Sequence, residues 1–245
     1  MRALIVTAVA AEADSVAAGL TPHPDPADHD ARSRSLPGGR SVTRYDVPGL
    51  AFDVLAGGVG PAAVAAATGA ALAAAEHPYS LVVSAGIGGG FQPAAPVGSL
   101  VVADAIVAAD LGAQTPDGFL TVEELGFGRA AHLPPADLTA RVAEATGALL
   151  APVLTVSTVT GTAARAAELA ARHPLAGAEA MEGFGVAEAA AAHGVPVLEI
   201  RAVSNPVGPR DRAAWRIGDA LAALTEGVHR LVPVLQTWRH DARND

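Results

Sequence analysis

Four places in this chain combine residue types that can do chemistry, and each follows or ends an apolar run. They are Glu12, Gly86–Gly90, the pair Met181-Glu182, and Arg201-Ala202-Val203-Ser204-Asn205. Glu12 and Glu182 are carboxylates that can take a proton from water or face a developing cation. Asn205 offers an amide donor and a carbonyl acceptor side by side, and Ser204 adds a hydroxyl. The glycine run, with Ile87 and Gly88 inside it, lets backbone approach a flat ring or a sugar closely. Met181 is the only methionine besides Met1, so a lone thioether beside a carboxylate marks a ligand surface. Each feature has a plainer reading. A glutamate in the first turn of a helix is favoured by the helix dipole, and a glycine run can be a tight exit from a strand. The combination argues for a site, because ligands of α/β folds gather at the carboxyl ends of strands.

Elements must position these residues. Residues 2–9 read as a buried strand rather than a cleaved leader, because Glu12 and Asp14 follow the short apolar run at once. A helix is expected from near Glu12. Residues 21–40 read as a loop or exposed hairpin, and Val42–Val47 and Leu50–Ala56 as strands around Pro48-Gly49. Gly57–Pro61 opens an Ala-rich helix to about Glu76. Leu81–Ala85 is a strand running into the glycines, and Ser99–Val107 another. Residues 110–135 lack periodicity, as a long functional loop would. Asp137–Leu150 is expected to be helical, Val153–Val159 a strand, Ala163–Arg172 a helix and Ala178–Met181 the end of a short strand. Glu182–His193 follows as a helix stopped by Gly194, with Pro196 just beyond. Val197–Val203 is a strand and Trp215–Leu235 a closing helix. Alternating strands and helices, with apolar runs such as Leu81-Val82-Val83, predict one three-layer α/β domain over 1–237 with a central mixed sheet flanked by helices. Residues 238–245 read as a frayed tail.

Composition closes off several chemistries. The chain has 245 residues, 51% of them hydrophobic and 17% charged, so a substantial core is available. A net charge of −9 without a basic run argues against nucleic acid and anionic membranes. There is no cysteine, which removes thiolate metal sites and cysteine nucleophiles. Lysine is absent and all 16 basic residues are arginine, which removes a Walker A loop and a Schiff-base lysine. Ser84 is not a nucleophile elbow, since Val82 stands where glycine is needed. Phe91 falls at the sixth position of the glycine run, which is therefore not a dinucleotide fingerprint. His23, Asp25, Asp28, His29 and Asp30 crowd one polar, Pro-interrupted stretch. With no helical pair of histidines, a solvated loop is the better account than a metal site. No metal or cofactor is expected.

Glu12, the Gly86–Gly90 turn, Val97-Gly98 before a strand with Asp104, Met181-Glu182 and the Arg201–Asn205 segment together resemble the nucleoside phosphorylase and nucleosidase superfamily over nearly the whole length. The runs Thr155–Gly161 and Ser204–Asp211 liken the chain most to the members that hydrolyse futalosine, releasing hypoxanthine on a route to menaquinone. The resemblance implies a cytoplasmic homo-oligomer, a dimer or higher, whose small-molecule substrates are a nucleoside and water. It gives Glu182 the ribose hydroxyls, Met181 the sugar face, and Glu12 the attacking water. It places Asn205 where methylthioadenosine nucleosidases carry an Asp facing the purine. Ile87 departs from a hydroxyl residue common in those nucleosidases. Three alternatives are a methylthioadenosine/S-adenosylhomocysteine nucleosidase, a 6-oxopurine nucleoside phosphorylase, and a non-catalytic nucleoside-binding protein.

The chemistry of an N-glycosidic bond fits these residues. Its cleavage builds positive charge on the ribose and negative charge on the base. Asn205 can donate to O6 of a 6-oxopurine while accepting from a protonated N7, so it favours hypoxanthine over adenine. An amide is no general acid, so the donor of the N7 proton is unassigned. Phosphorolysis needs cations for phosphate. Neither Thr7–Glu12 nor Gly57–Ala67 contains one, which favours water as nucleophile. Arg165, Arg201 and Arg210 are the remaining candidates for that charge, and Arg210 alternatively for a carboxylate at the far end of futalosine.

Overall fold

β1 (Arg2–Thr7) lies in the middle of the molecule with both faces covered. Ala3 and Ile5 enter one apolar cluster, and Leu4 and Val6 the other, as the two-residue period of a strand requires. The computed structural model describes residues 1–21 and 32–239, so the His23–Asp30 stretch lies outside the described residues. After β1 come α1 (Ala10–Leu20), β2 (Arg32–Ser35), β3 (Ser41–Val47), β4 (Leu50–Ala56), α2 (Pro61–Ala73), β5 (Leu81–Gly90) and β6 (Leu100–Ala108). A hairpin β7 (Gly112–Thr115) and β8 (Gly118–Thr121) and the short β9 (Ala131–His132) follow. Then come α3 (Ala136–Thr146), β10 (Leu149–Thr155), α4 (Ala163–Arg172), β11 (Ala178–Ala180), α5 (Gly183–Ala192) and β12 (Val197–Pro206). A 3₁₀ turn at Arg212–Ala214 leads into α6 (Ile217–Thr237).

Ten strands form one mixed sheet in the order β11-β10-β6-β12-β5-β1-β4-β3-β2, with β9 beside β6. β1 runs parallel to β4 and β5, whereas β12 is antiparallel to β6. One end of the sheet closes on itself, because β11 bonds β5 as well as β10. α2 and α5 cover one face through Val64, Ala67, Phe184 and Val186. α1, α3 and α6 cover the other through Val16, Leu138, Leu224 and Leu231. The expected three-layer α/β architecture with a central mixed sheet is therefore present.

Local expectations fail where tertiary contacts override them. Gly86–Gly90 is not a turn. It continues β5, and none of its four glycines has positive φ. They are small because neighbours press on them: an added Cβ would lie 2.6 Å from Glu12 Oε1 at Gly86, and 2.7 Å from the carbonyl oxygen of Glu179 at Gly88. Leu149 and Leu150, expected at a helix end, begin β10, since Gly147 (φ 69°) stops α3. Val156–Val159 falls outside β10, whose pairing ends at Thr155. Trp238 is not the start of a frayed tail: it is 1% exposed, and its indole Nε1–H donates to Asp137 Oδ2 at 3.1 Å.

Candidate active site

The carboxyl ends of β1, β5, β11 and β12 open onto one cavity of about 580 Å³. Its lining includes Glu12, Ile87, Gly88, Met181, Glu182, Ser204 and Asn205, so every site residue expected from the sequence is brought together. Asp104 is exposed on β6 and is not part of this lining. Residues 110–135, expected as a functional loop, form the β7–β8 hairpin and β9 and contribute nothing to the lining.

Glu12 is buried in the first turn of α1. Its Oε2 accepts from the backbone N–H of Ala8 at 2.9 Å and of Val9 at 3.3 Å, and its Oε1 from the N–H of Ile87 at 2.9 Å. The helix-start reading therefore holds in part, because Val9 and Ala8 lead into that helix. The bond from β5 adds what a simple cap lacks. A carboxylate has about four lone-pair positions, so Oε1 keeps one for water.

Glu182 stands at the N-terminus of α5 with Gly60 N–H on Oε1 at 3.2 Å. Its Oε2 accepts from Arg201 Nη1 at 3.2 Å and from Met181 N–H at 3.3 Å. The same lone-pair arithmetic leaves Oε1 one further bond for a donor in the cavity. Gly60 reaches this position with φ of 88°, a conformation that glycine adopts without strain.

Behind Glu182 lies a buried Glu–Arg–Glu group. Arg201 donates through Nε to Glu199 Oε1 at 2.8 Å and through Nη2 to Ser84 Oγ at 3.0 Å. Burial works against the guanidinium charge, but Glu199, Glu182 and Glu12 outweigh it and raise the Arg201 pKa. Burial also raises the pKa of Glu199, whose Oε2 has no hydrogen-bond partner among the described residues. That oxygen faces the start of α5, where a Cβ on Gly183 would lie 2.1 Å away. Arg201 is thus committed to carboxylates. Arg165 pairs with Glu168 at 2.7 Å on α4.

Asn205 Oδ1 accepts from Ser204 Oγ at 2.8 Å, and its Nδ2 donates to the Pro206 carbonyl at 2.9 Å. Each amide atom keeps one bond free, the pattern a 6-oxopurine edge requires. The strand carrying it slips register between Val203 and Asn205, where Ser204 bulges.

Sequence reasoning missed several residues. Glu179 lines the cavity, buried, accepting from Thr160 N–H at 2.9 Å and from Thr160 Oγ at 2.5 Å. Burial raises its pKa, while the two Thr160 bonds and Arg165 oppose that rise. Its place three residues before Glu182 on a strand was visible, but the closure of β11 on β5 was not. Arg210, Arg212 and Trp215 also line the cavity, with the Arg210 backbone N–H bonded to the Gly161 carbonyl at 3.1 Å and its guanidinium 5.3 Å from the centre of the Trp215 ring. Neither arginine is ion-paired among the described residues. Arg40 also went unseen: it donates to the Ala56 carbonyl at 3.0 Å and its Nη2 lies against Gly58, outside the cavity lining.

The phosphorylase superfamily model matches residues 2–236. A futalosine hydrolase of Streptomyces coelicolor is 64% identical over 99% of this chain and 100% of its own length. One from Acidothermus cellulolyticus is 47% identical over 98% and 93%. Among solved structures, a 5′-methylthioadenosine/S-adenosylhomocysteine nucleosidase of Colwellia psychrerythraea in complex with adenine superposes with a TM-score of 0.79 at 23% identity, covering 96% of each chain. The native futalosine hydrolase of Helicobacter pylori gives 0.79 at 16% identity, covering 95% of this chain and 97% of that one. The two solved structures share the fold, and the two sequence relatives decide the branch. This chain belongs to the phosphorylase superfamily and, within it, to the futalosine hydrolases.

Proposed function

We propose that this chain hydrolyses the N-glycosidic bond of futalosine, releasing hypoxanthine and dehypoxanthine futalosine on a route to menaquinone. The observation that carries this reading is the 64% identity over 99% of the chain to a futalosine hydrolase. The cavity supports it with groups suited to the ribose, the attacking water and the edge of the base.

Glu182, held by Gly60, Met181 and Arg201, faces the ribose and stabilises its growing positive charge. Met181 packs on the sugar. Glu12 is fixed by three backbone N–H groups and takes the proton of the attacking water. Asn205 donates to O6 and accepts at N7. The cavity lining also carries both signs of charge, with Glu12, Glu179 and Glu182 and with Arg210 and Arg212. Futalosine has a carboxylate at the far end of its 5′ substituent, which suits those arginines. Methylthioadenosine has none there, whereas S-adenosylhomocysteine does, so the base, read by Asn205, separates futalosine from that alternative.

Water is favoured over phosphate because Arg201, the arginine bonded to Glu182, is neutralised by Glu199 and Glu182, and Arg165 by Glu168. Residues 1–237 act as one catalytic domain in this reading. None of the described helices is long and apolar enough to cross a membrane, and the proposed setting is the cytoplasm. Self-association as a dimer or higher oligomer is supported by exposed Phe127 and Leu133, and sedimentation equilibrium measures it.

Incubation with futalosine, with and without phosphate, tests the reaction. Hypoxanthine release independent of phosphate is expected. An absolute phosphate requirement would make the chain a phosphorylase, and a higher kcat/KM on methylthioadenosine would reassign the substrate. Binding without any turnover would leave a nucleoside-binding protein. Arg210→Ala should raise KM for futalosine and leave that for inosine, which lacks the substituent, unchanged.

A further inference from the structure

β12 carries two charged residues on a face that is otherwise apolar. Val197, Glu199, Arg201 and Val203 share the side turned to α2 and α5, and the two valines join the apolar cluster there. Glu199 and Arg201 are both fully buried, and neither lines the cavity. Replacing a buried ion pair with apolar residues of similar size is often neutral or stabilising, so folding alone does not account for the pair.

Arg201 reaches the cavity through Glu182, whose Oε2 accepts from its Nη1 at 3.2 Å. Its Nε–H and Nη2 are held by Glu199 Oε1 at 2.8 Å and by Ser84 Oγ at 3.0 Å. A guanidinium on a carboxylate steadies it but also cancels its charge, and a neutral pair offers little to a developing cation. A second carboxylate on the same guanidinium restores one net negative charge. Glu12 also acts on Arg201, but it becomes neutral once it takes the proton of water. Glu199 keeps its place in the sum throughout. Burial pushes the Glu199 carboxyl up, and Arg201 opposes that rise. The carboxylate form fits the surroundings: an O–H on Oε2 would find no acceptor among the described residues, whereas the start of α5, against which it lies, favours an anion.

We propose that Glu199 is a positioning residue that holds and charge-balances Arg201, so that Arg201 orients Glu182 without cancelling the negative charge Glu182 turns to the ribose. The inference rests on the nucleosidase reading above, and it gives a part in the reaction to a residue that touches no substrate. Charges in a buried group are weakly screened, so the effect of Glu199 carries through Arg201 to the ribose.

The test is Glu199→Gln, which keeps the shape and removes the charge. On futalosine kcat is expected to fall by about tenfold to a hundredfold with little change in KM. Calorimetry then compares two sugar probes, an iminoribitol whose ring nitrogen is protonated and the matching anhydroribitol whose ring oxygen is neutral. The preference for the cation should fall by about tenfold or more in the variant. A merely structural role would weaken both probes alike, and an unchanged preference would overturn the inference. Should Glu199→Gln not fold, Glu199→Leu combined with Arg201→Met removes both charges and leaves Glu182 held by Gly60 and Met181 N–H. A cation preference within about threefold of wild type supports charge balance, and a loss of about tenfold or more contradicts it. If the wild-type enzyme releases no hypoxanthine from futalosine, the nucleosidase reading fails. If it does and the cation preference does not move in Glu199→Gln, only the role of Glu199 fails.

Discussion

Glu12 and Glu182 are alike in type and burial but differ in their surroundings. Glu12 is held only by backbone N–H groups, which fix its direction and leave an oxygen to meet water. Glu182 shares a guanidinium with Glu199, so its place is set by a buried charge network. Glu12→Gln should lower kcat on futalosine by about 10²- to 10⁴-fold with little change in KM, the usual loss when a positioned base is removed. Steady-state kinetics checks this, and a fall in kcat/KM through KM alone would contradict the assignment. Asn205→Asp should shift preference toward 6-amino bases, because an ionised carboxylate only accepts hydrogen bonds. Competition between futalosine and its 6-amino counterpart measures the shift, and unchanged selectivity would refute the role of Asn205.

At the scale of elements, the site depends on glycines that make room for other groups. Gly86 admits Glu12 and Arg201, Gly183 admits Glu199, and Gly88 admits the β11 backbone. These were legible as glycines but not as contacts, since a sequence does not say which strand lies next to which. The end of α6 shows the reverse case. Trp238 follows the last helical residue and looked like the start of a polar tail. Its ring is instead enclosed by the α1, α3 and α6 layer, and its N–H is bonded to Asp137. Trp238→Ala should destabilise the fold by about 3–5 kcal/mol, the range for a buried aromatic cut to alanine. Denaturant unfolding measures this, and a change within 0.5 kcal/mol, the usual range for an exposed position, would show that the ring is not buried in solution.

At the scale of the whole molecule, burial of ionisable groups links stability to pH. Burial raises the pKa of Glu179 above the ordinary 4.5, so the folded state holds that proton more tightly than the unfolded chain does. The stability this contributes is complete below about pH 4.5 and is lost as pH rises through the folded value. Glu179→Gln removes the titration. Its melting temperature relative to wild type should therefore rise as pH increases from about 4 toward neutral. Thermal melts across that range check the sign, and a constant difference would show that the group is not perturbed. A variant more stable near neutral pH is the expected result of removing a carboxylate that the fold buries.

The sequence by itself determined the α/β class, the strand and helix order over most of the chain, and the seven residues expected at the site. Periodicity, glycine stops and residue chemistry are local properties, and they survive without coordinates. Only the tertiary structure decided that the sheet closes through β11 onto β5, which sets Glu179 across Gly89 from Asn205. It also decided that Arg201 is bonded to Glu182 rather than in reach of an anion, and that Arg210, Arg212 and Trp215 line the same cavity. These depend on pairing between segments far apart in the chain, which hydrophobic pattern and local propensity do not encode.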